Sequence, residues 1–130
     1  MAISFHAGFV RAFRQDWGWH VVWAKDNEVS DELYLSLQRK HRYTLAEKIF
    51  GWSKVYIECC GQGWSWYGHI RSFELQRDRV KVQLDRKAAR DMENDGRIEV
   101  TFESNAERFV ELQGALNQVF RGYDYYKVAA

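Results

Sequence analysis

Cys59 and Cys60, followed by His69, are the side chains with the most reactive chemistry in this sequence. Two thiolates and an imidazole could hold a zinc ion, with His6, His20 or His41 completing the set. Zinc sites, however, usually separate their cysteines by two to four residues so that both sulfurs face one ion. Adjacent residues on a strand point to opposite faces, so this pair cannot grip one metal without a kink. A thiol nucleophile with His69 as its base is a second possibility, and Gly61-Gln62-Gly63 could offer backbone donors. Against it, cysteine is among the most buried residue types, and no neighbouring cation is in place to lower a thiol pKa. The Gly-Gln-Gly run leads into an aromatic strand rather than a helix, so it reads as a turn needing positive φ, not a phosphate cradle. GxSxG, P-loop and HExxH motifs are absent. The carboxylates fall where solvated faces need them. No catalytic set, cofactor or metal site is expected. Neighbouring cysteines form a strained ring when oxidised, so reduced thiols and a cytoplasmic location are expected.

Trp64, Trp66 and Tyr67 raise a different chemistry. At period 2 the two tryptophans share one face of a strand and Tyr67 takes the other. Exposed, the tryptophan face would stack on a sugar or a base, or anchor a protein partner. Buried, it is core. Both readings stay open at this point.

The elements that must carry these residues follow from periodicity. Ile3 to Phe13 reads as one strand. Trp17, Trp19, Val21 and Trp23 alternate, as do Leu33, Leu35 and Leu37, and then Val55, Ile57 and Cys59. Phe73 and Leu75, a turn at Arg77-Asp78-Arg79, and Val80, Val82 and Leu84 make a hairpin. Polar turns are expected at 25–28, with a solvated Asp31-Glu32 leading the next strand. Thr44-Leu45-Ala46-Glu47 has the spacing of a capping box, opening a short helix with Leu45, Ile49 and Phe50 on one face. Asp85 caps a second short helix with Ala88, Ala89 and Met92, stopped at Asn94-Asp95-Gly96. Ile98, Val100 and Phe102 form a strand. Ser104 and Glu107 read as another capping box, beginning a helix whose Phe109, Leu112, Leu116, Val119 and Phe120 keep one side, with Gly122 at its end. The tail Tyr123-Asp124-Tyr125-Tyr126 is aromatic enough to dock on the body. Strands and helices are segregated, which predicts an α+β fold: a mainly antiparallel β-sheet, a C-terminal amphipathic helix packed on one face, and one or two short helices.

Size and composition agree. The 130 residues suit a single domain over 1–130. Hydrophobic residues make up 46% and aromatics 16%, enough for a core without staples. Lys+Arg number 19 and Asp+Glu 18, for a net charge of +1 spread evenly along the chain, so no basic face and no nucleic-acid partner is implied. No apolar run approaches the ~18 residues of a membrane span. The start, Met1 to His6, does not have the pattern of a secretion signal.

From Leu33 to Phe120 the chain resembles a known family. Tyr34-Leu35-Ser36-Leu37-Gln38-Arg39 is followed by Val55-Tyr56-Ile57-Glu58, Gly61-Gln62, Tyr67-Gly68-His69-Ile70, a hairpin through Leu75-Gln76-Arg77-Asp78, Ala88-Ala89 and Val119-Phe120. This is similar to the bacterial Immunity protein 10 family, with its Tyr-Leu-x-Leu-Gln-Arg stretch and Gly-Gln…Tyr-Gly-Gly-Ile core. His69 stands where the family has its second glycine. Lys40, His41, Arg42 and Lys48 stand where it tends to be acidic, and Trp64 and Trp66 look like additions. The resemblance implies a non-enzymatic cytoplasmic antidote that binds a cognate toxin protein domain, with no nucleic-acid or membrane partner. Gly61, Gln62, Tyr67, Gly68 and Ile70 would be mainly structural. The partner-binding residues would be those peculiar to this chain: Trp64, Trp66, His69, Arg39, Lys40 and Arg42. The competing expectations are a small-ligand module, for carbohydrate or an aromatic metabolite, using the Trp64/Trp66 face, and a small Cys/His enzyme.

Overall fold

The computed structural model describes residues 3–25, 33–60 and 64–129. Among these, period-2 segments assemble into two five-stranded sheets. The first runs β1 (Ile3–Ala7), β9 (Arg97–Phe102), β8 (Arg79–Leu84), β7 (Ile70–Leu75) and β10 (Tyr126–Val128). The second runs in plain chain order: β2 (Phe9–Arg14), β3 (Gly18–Ala24), β4 (Tyr34–Lys40), β5 (Tyr56–Cys59) and β6 (Trp64–Tyr67). Pairing is antiparallel except where β1 meets β9 and β10 meets β7. Three helices complete the described fold: α1 (Leu45–Ile49), α2 (Arg86–Met92) and α3 (Ala106–Val119). The α+β class, the segregated strands and the C-terminal helix match the expectation.

Alternation decides which side of each sheet is buried. In the first sheet Phe5, Val100, Val80 and Leu75 line up across four strands, all buried. In the second, Val21, Leu37, Ile57 and Trp66 do the same. The two faces contribute to one core. α3 packs against β2, β3 and β4 and buries Leu112, Ala115, Leu116 and Val119. Phe73 of the first sheet joins the layers, its ring 6.1 Å from Trp23 and 4.8 Å from Phe120 at the end of α3.

Three expectations are corrected here. The single sheet is two, because the chain changes sheet at Gly8: Phe5 and Ala7 are buried before it and Val10 after it, a slip of phase that one continuous strand could not show. The cap of α3 is Asn105, whose side chain accepts from Arg108 N at 2.8 Å, and not Ser104, whose hydroxyl donates to the carbonyl of Asn105. Trp17 is an exposed turn residue rather than part of the Trp19, Val21, Trp23 face. The capping boxes and caps at Thr44 and Asp85 form as expected. The aromatic tail docks as β10, with Tyr126 stacked on Phe120 at 5.1 Å. The turn at 26–28, the solvated Asp31-Glu32 and the Gly61-Gln62-Gly63 turn lie outside the described residues.

Gly18 fixes how the second sheet meets the connector after β4. It pairs with Lys40, and a Cβ on it would lie 2.2 Å from the Arg39 carbonyl oxygen and 2.6 Å from Lys40 Cα. Backbone cannot yield as a flexible side chain can. Gly18→Ala is therefore expected to cost about 1–3 kcal/mol in urea unfolding, as overpacking does. An unchanged midpoint would show that β3 and β4 do not approach this closely.

Candidate functional site

The two outward faces differ in chemistry. On the first sheet Glu74, Lys81 and Glu99 stand in one row, and Arg79 pairs with Glu99 at 2.6 Å. Alternating charge of this kind is an ordinary solvated face. The second sheet presents Phe13, His20, Tyr56 and Tyr67 instead, with Tyr56 and Tyr67 rings 5.1 Å apart, while Tyr34 on the same side is buried. Glu58 lies among them and accepts from Tyr34 OH at 2.5 Å and Tyr56 OH at 2.8 Å. These bonds hold the aromatic rings in one arrangement before any partner arrives.

An arm stands at the edge of this face. The chain leaves β4 at Lys40 and returns at Tyr56, and between them lies α1. A five-residue helix has little intrinsic stability, so its local bonds matter. Thr44 Oγ1 accepts from Glu47 N at 3.1 Å, and Glu47 Oε1 accepts from Thr44 N at 2.9 Å. The other oxygen of Glu47 receives Lys40 Nζ at 2.6 Å. The Lys40 ammonium, then the Thr44 N–H, hold the Glu47 carboxyl below its usual range. Gly51, at φ 77°, turns the chain back, and Trp52 N donates to Glu47 O at 2.8 Å. The arm is thus braced, yet α1 buries none of its residues. Leu45 is 74% exposed, Ile49 71%, Phe50 65% and Trp52 49%, with the Phe50 and Trp52 rings stacked at 5.2 Å. Between arm and sheet is an open cleft of about 660 Å³, lined by Trp52, Tyr43, Tyr56, Tyr67, Lys40 and Trp17 among others.

The six residues singled out in the sequence divide. Arg39, Lys40 and Arg42 come together at the root of the arm. Arg39, on the same side of β4 as Leu35 and Leu37, donates Nη1 to Val119 O at 2.9 Å and Arg121 O at 3.3 Å, so it ties the end of α3 to the sheet. Lys40 braces Glu47. Arg42 is exposed and has no polar partner among the described residues. The other three lie away from the arm. Trp66 is buried, and its indole donates to Asp91 at 3.0 Å; Trp64 is half-buried against the core. Both face inward because they pair with Ile57 and Cys59, which are core. The Trp64/Trp66 face is consequently no open stacking platform, and the small-ligand reading that needs one is corrected on this point. His69 is half-buried, with Nδ1 2.7 Å from Asp85, the cap of α2. Ile49, Phe50, Trp52, Tyr56 and Tyr67 were not among the expected partner-binding residues. Strand parity identifies the last two as outward.

The reactive residues are constrained. Cys60 has φ 52°, the kink that ordinary strand geometry excludes, and its sulfur lies 3.2 Å from that of Cys59. Cys59 donates to Cys60; that bond and burial push its thiol far above the ordinary range, and the same bond pulls Cys60 down. Both are buried. Among the described residues no group of three or more His, Cys, Asp or Glu could hold a metal ion. His20 Nε2 and Ser36 Oγ, 2.8 Å apart, look like part of a hydrolytic dyad. Ser36, however, sits mid-sheet between Val22 and Glu58, where the strand's backbone is engaged with neighbours on both sides. That leaves no cluster of free N–H groups beside it to receive an oxyanion.

Burial lowers the His20 pKa, with the Glu58 charge opposing. The folded state therefore keeps a neutral imidazole that the unfolded chain would protonate. Its contribution to stability is present above the unfolded value of 6.5 and is lost as pH falls through the lower folded value. Urea midpoints should fall between about pH 7.5 and pH 5.5, and His20→Gln should flatten that slope. Parallel slopes in the two proteins would contradict the assignment.

A family model described as Immunity protein 10 matches residues 6–110, from β1 into α3, taking in the arm and the aromatic face entirely. The chain belongs to the Immunity protein 10 family. Among curated proteins, none matches it. In this Immunity protein 10 chain the Gly68-His69 pair shapes the turn between β6 and β7. Gly68 at φ 81° and His69 at φ 63° are consecutive left-handed residues, a conformation glycine enters without a Cβ penalty. His69 holds this conformation while anchored to Asp85. No helix among the described residues is long and apolar enough to cross a membrane.

Proposed function

We propose that this Immunity protein 10 chain is a non-catalytic antidote of a bacterial polymorphic toxin system, acting in the cytoplasm by binding and neutralising a cognate toxin domain. The observation that carries the reading is the arm: four large apolar side chains exposed on, and just after, a helix that buries nothing. Contiguous exposed apolar surface on a braced support marks an interaction site. Aromatic anchors are the residue types that dominate binding energy, and Trp52, Phe50 and Tyr67 supply them. Because the Glu58 bonds and the capping box already order the face, little side-chain entropy remains to be lost on docking.

In this reading Lys40 and Arg42 form the charged rim and Arg39 supports them from behind. Trp64, Trp66 and His69 act through the fold, by holding β6 and the turn after it in place. The test is co-purification of the full chain with the toxin domain encoded beside it. A stable complex that abolishes the toxin's activity is expected. No complex with any neighbouring toxin domain would overturn the proposal.

A further inference from the structure

Even charge along the sequence conceals a local excess in space. Beside the arm is a hollow of about 520 Å³ whose lining includes Arg39, Arg42, Lys48 and Arg121 with His41 and Tyr43 and, among the described residues, no carboxylate. A second hollow shares His41 and Arg42 and adds Arg14 and Lys40, with Asp16 as the one acidic residue among its described lining. In a chain of net charge +1, four cations with no anion among the described residues of one hollow is a concentration the fold has made.

The fold also shows how these charges tolerate one another. Arg39 and Arg121 direct their guanidinium groups at backbone carbonyls. Arg39 reaches Val119 and Arg121, and Arg121 reaches Gln118, Lys40 and His41. Several of these carbonyls close α3, the end of a helix that favours cations. Carbonyls satisfy Arg39 Nη1 and both Arg121 Nη groups, while Arg39 Nε is buried with no partner among the described residues; carbonyls carry no full charge, so the positive potential remains. Burial and the neighbouring Arg39 charge both lower the Arg121 pKa, as crowding of like charge requires. Arg42 and Lys48 are exposed and make no ion pair among the described residues. This potential adjoins the apolar arm, since Lys48 lies on α1 itself.

We infer that the segment of the toxin domain that docks here is acidic, placing carboxylates in the Arg39–Arg42–Lys48–Arg121 hollow beside an apolar anchor on Phe50 and Trp52. The inference rests on the immunity reading for the identity of the partner. Guanidinium groups match carboxylates in planar, paired geometry, and opposite potentials steer encounter as well as register.

The experiment titrates the toxin domain against the full chain and against an Arg42→Glu/Lys48→Glu double variant, at about 50 and about 300 mM salt. The wild-type chain is expected to bind several-fold more weakly at the higher salt. The double variant should bind roughly tenfold to a hundredfold more weakly at the lower salt and show a flatter salt dependence, with an unchanged unfolding midpoint. Equal affinities with equal salt slopes would overturn the inference while leaving the immunity reading intact. If the wild-type chain forms no complex, the immunity reading falls, and an NMR titration of the full chain with hexaglutamate and with hexauridylate decides the charge preference alone. Amide shifts at Arg42, Lys48 and Arg121 with hexaglutamate only support an acidic peptide. No shifts, or a stronger response to hexauridylate, overturn it.

Discussion

Ile49→Asp and Trp52→Ala should each weaken binding of the toxin domain by roughly thirtyfold to a thousandfold, with little change in the stability of the free protein for Ile49→Asp and a loss of about 1–2 kcal/mol for Trp52→Ala. The affinity estimate follows from hot-spot truncations of about 2–4 kcal/mol at well-packed anchors. The stability estimates follow from exposure: Ile49 at 71% leaves little native burial to lose, whereas Trp52 at 49% is half-buried and stacked on Phe50. Val110→Asp on α3 is the matched control, since Val110 is also exposed, at 65%, but lies on a different element. It should bind normally. Titration calorimetry with urea unfolding on the same preparations reads both quantities. Normal binding by the Ile49 and Trp52 variants would remove the arm from the interface.

Leu116→Ala should cost about 2–5 kcal/mol in unfolding free energy, the range for emptying a fully buried leucine site. Leu116 is fully buried on α3, the helix that β2, β3 and β4 pack against. Phe109 lies on the same helical side, and sequence periodicity assigns it an equal role, but it is only half-buried, with the Arg77 guanidinium 5.8 Å from its ring centre. Phe109→Ala should therefore cost less, about 1–2 kcal/mol. Denaturant melts that rank the two in the opposite order would mean α3 is rotated on the sheet. Loss of Leu116 should also loosen the neighbouring Arg39 clamp on Val119 and so weaken partner binding secondarily.

Local chemistry was legible wherever the signal itself is local. The Thr44–Glu47 box, the Asp85 cap and the hairpin around Arg77-Asp78 need only neighbouring residues to form, and they formed as read. The aromatic composition of the tail predicts docking, and Tyr126 does dock on Phe120. What escaped depends on the partner strand or on one unusual φ. Trp66 is core because it sits opposite Ile57, a fact of register that its own alternation with Tyr67 cannot supply. The cysteine sulfurs meet because Cys60 is left-handed, where strand parity alone sends them apart. Gly8 offered the one visible hint that a strand divides between two sheets. For the site, Leu45, Ile49 and Phe50 were recognised as a helical face, but an apolar face ordinarily implies a covering element. That nothing in the described chain covers this one is apparent only in three dimensions. The same holds for charge: Arg39, Arg42, Lys48 and Arg121 are distant or evenly diluted in sequence and become a single hollow because Arg39 binds the carbonyls that end α3.

Amide hydrogen exchange of the full chain, free and in complex with the toxin domain, is the direct test of binding through the arm and the second sheet's outward face. Slowed exchange should concentrate at residues 43–56 and around Tyr67, with the Glu74–Lys81–Glu99 face unchanged. Protection of that charged face with an unaffected arm would contradict the reading.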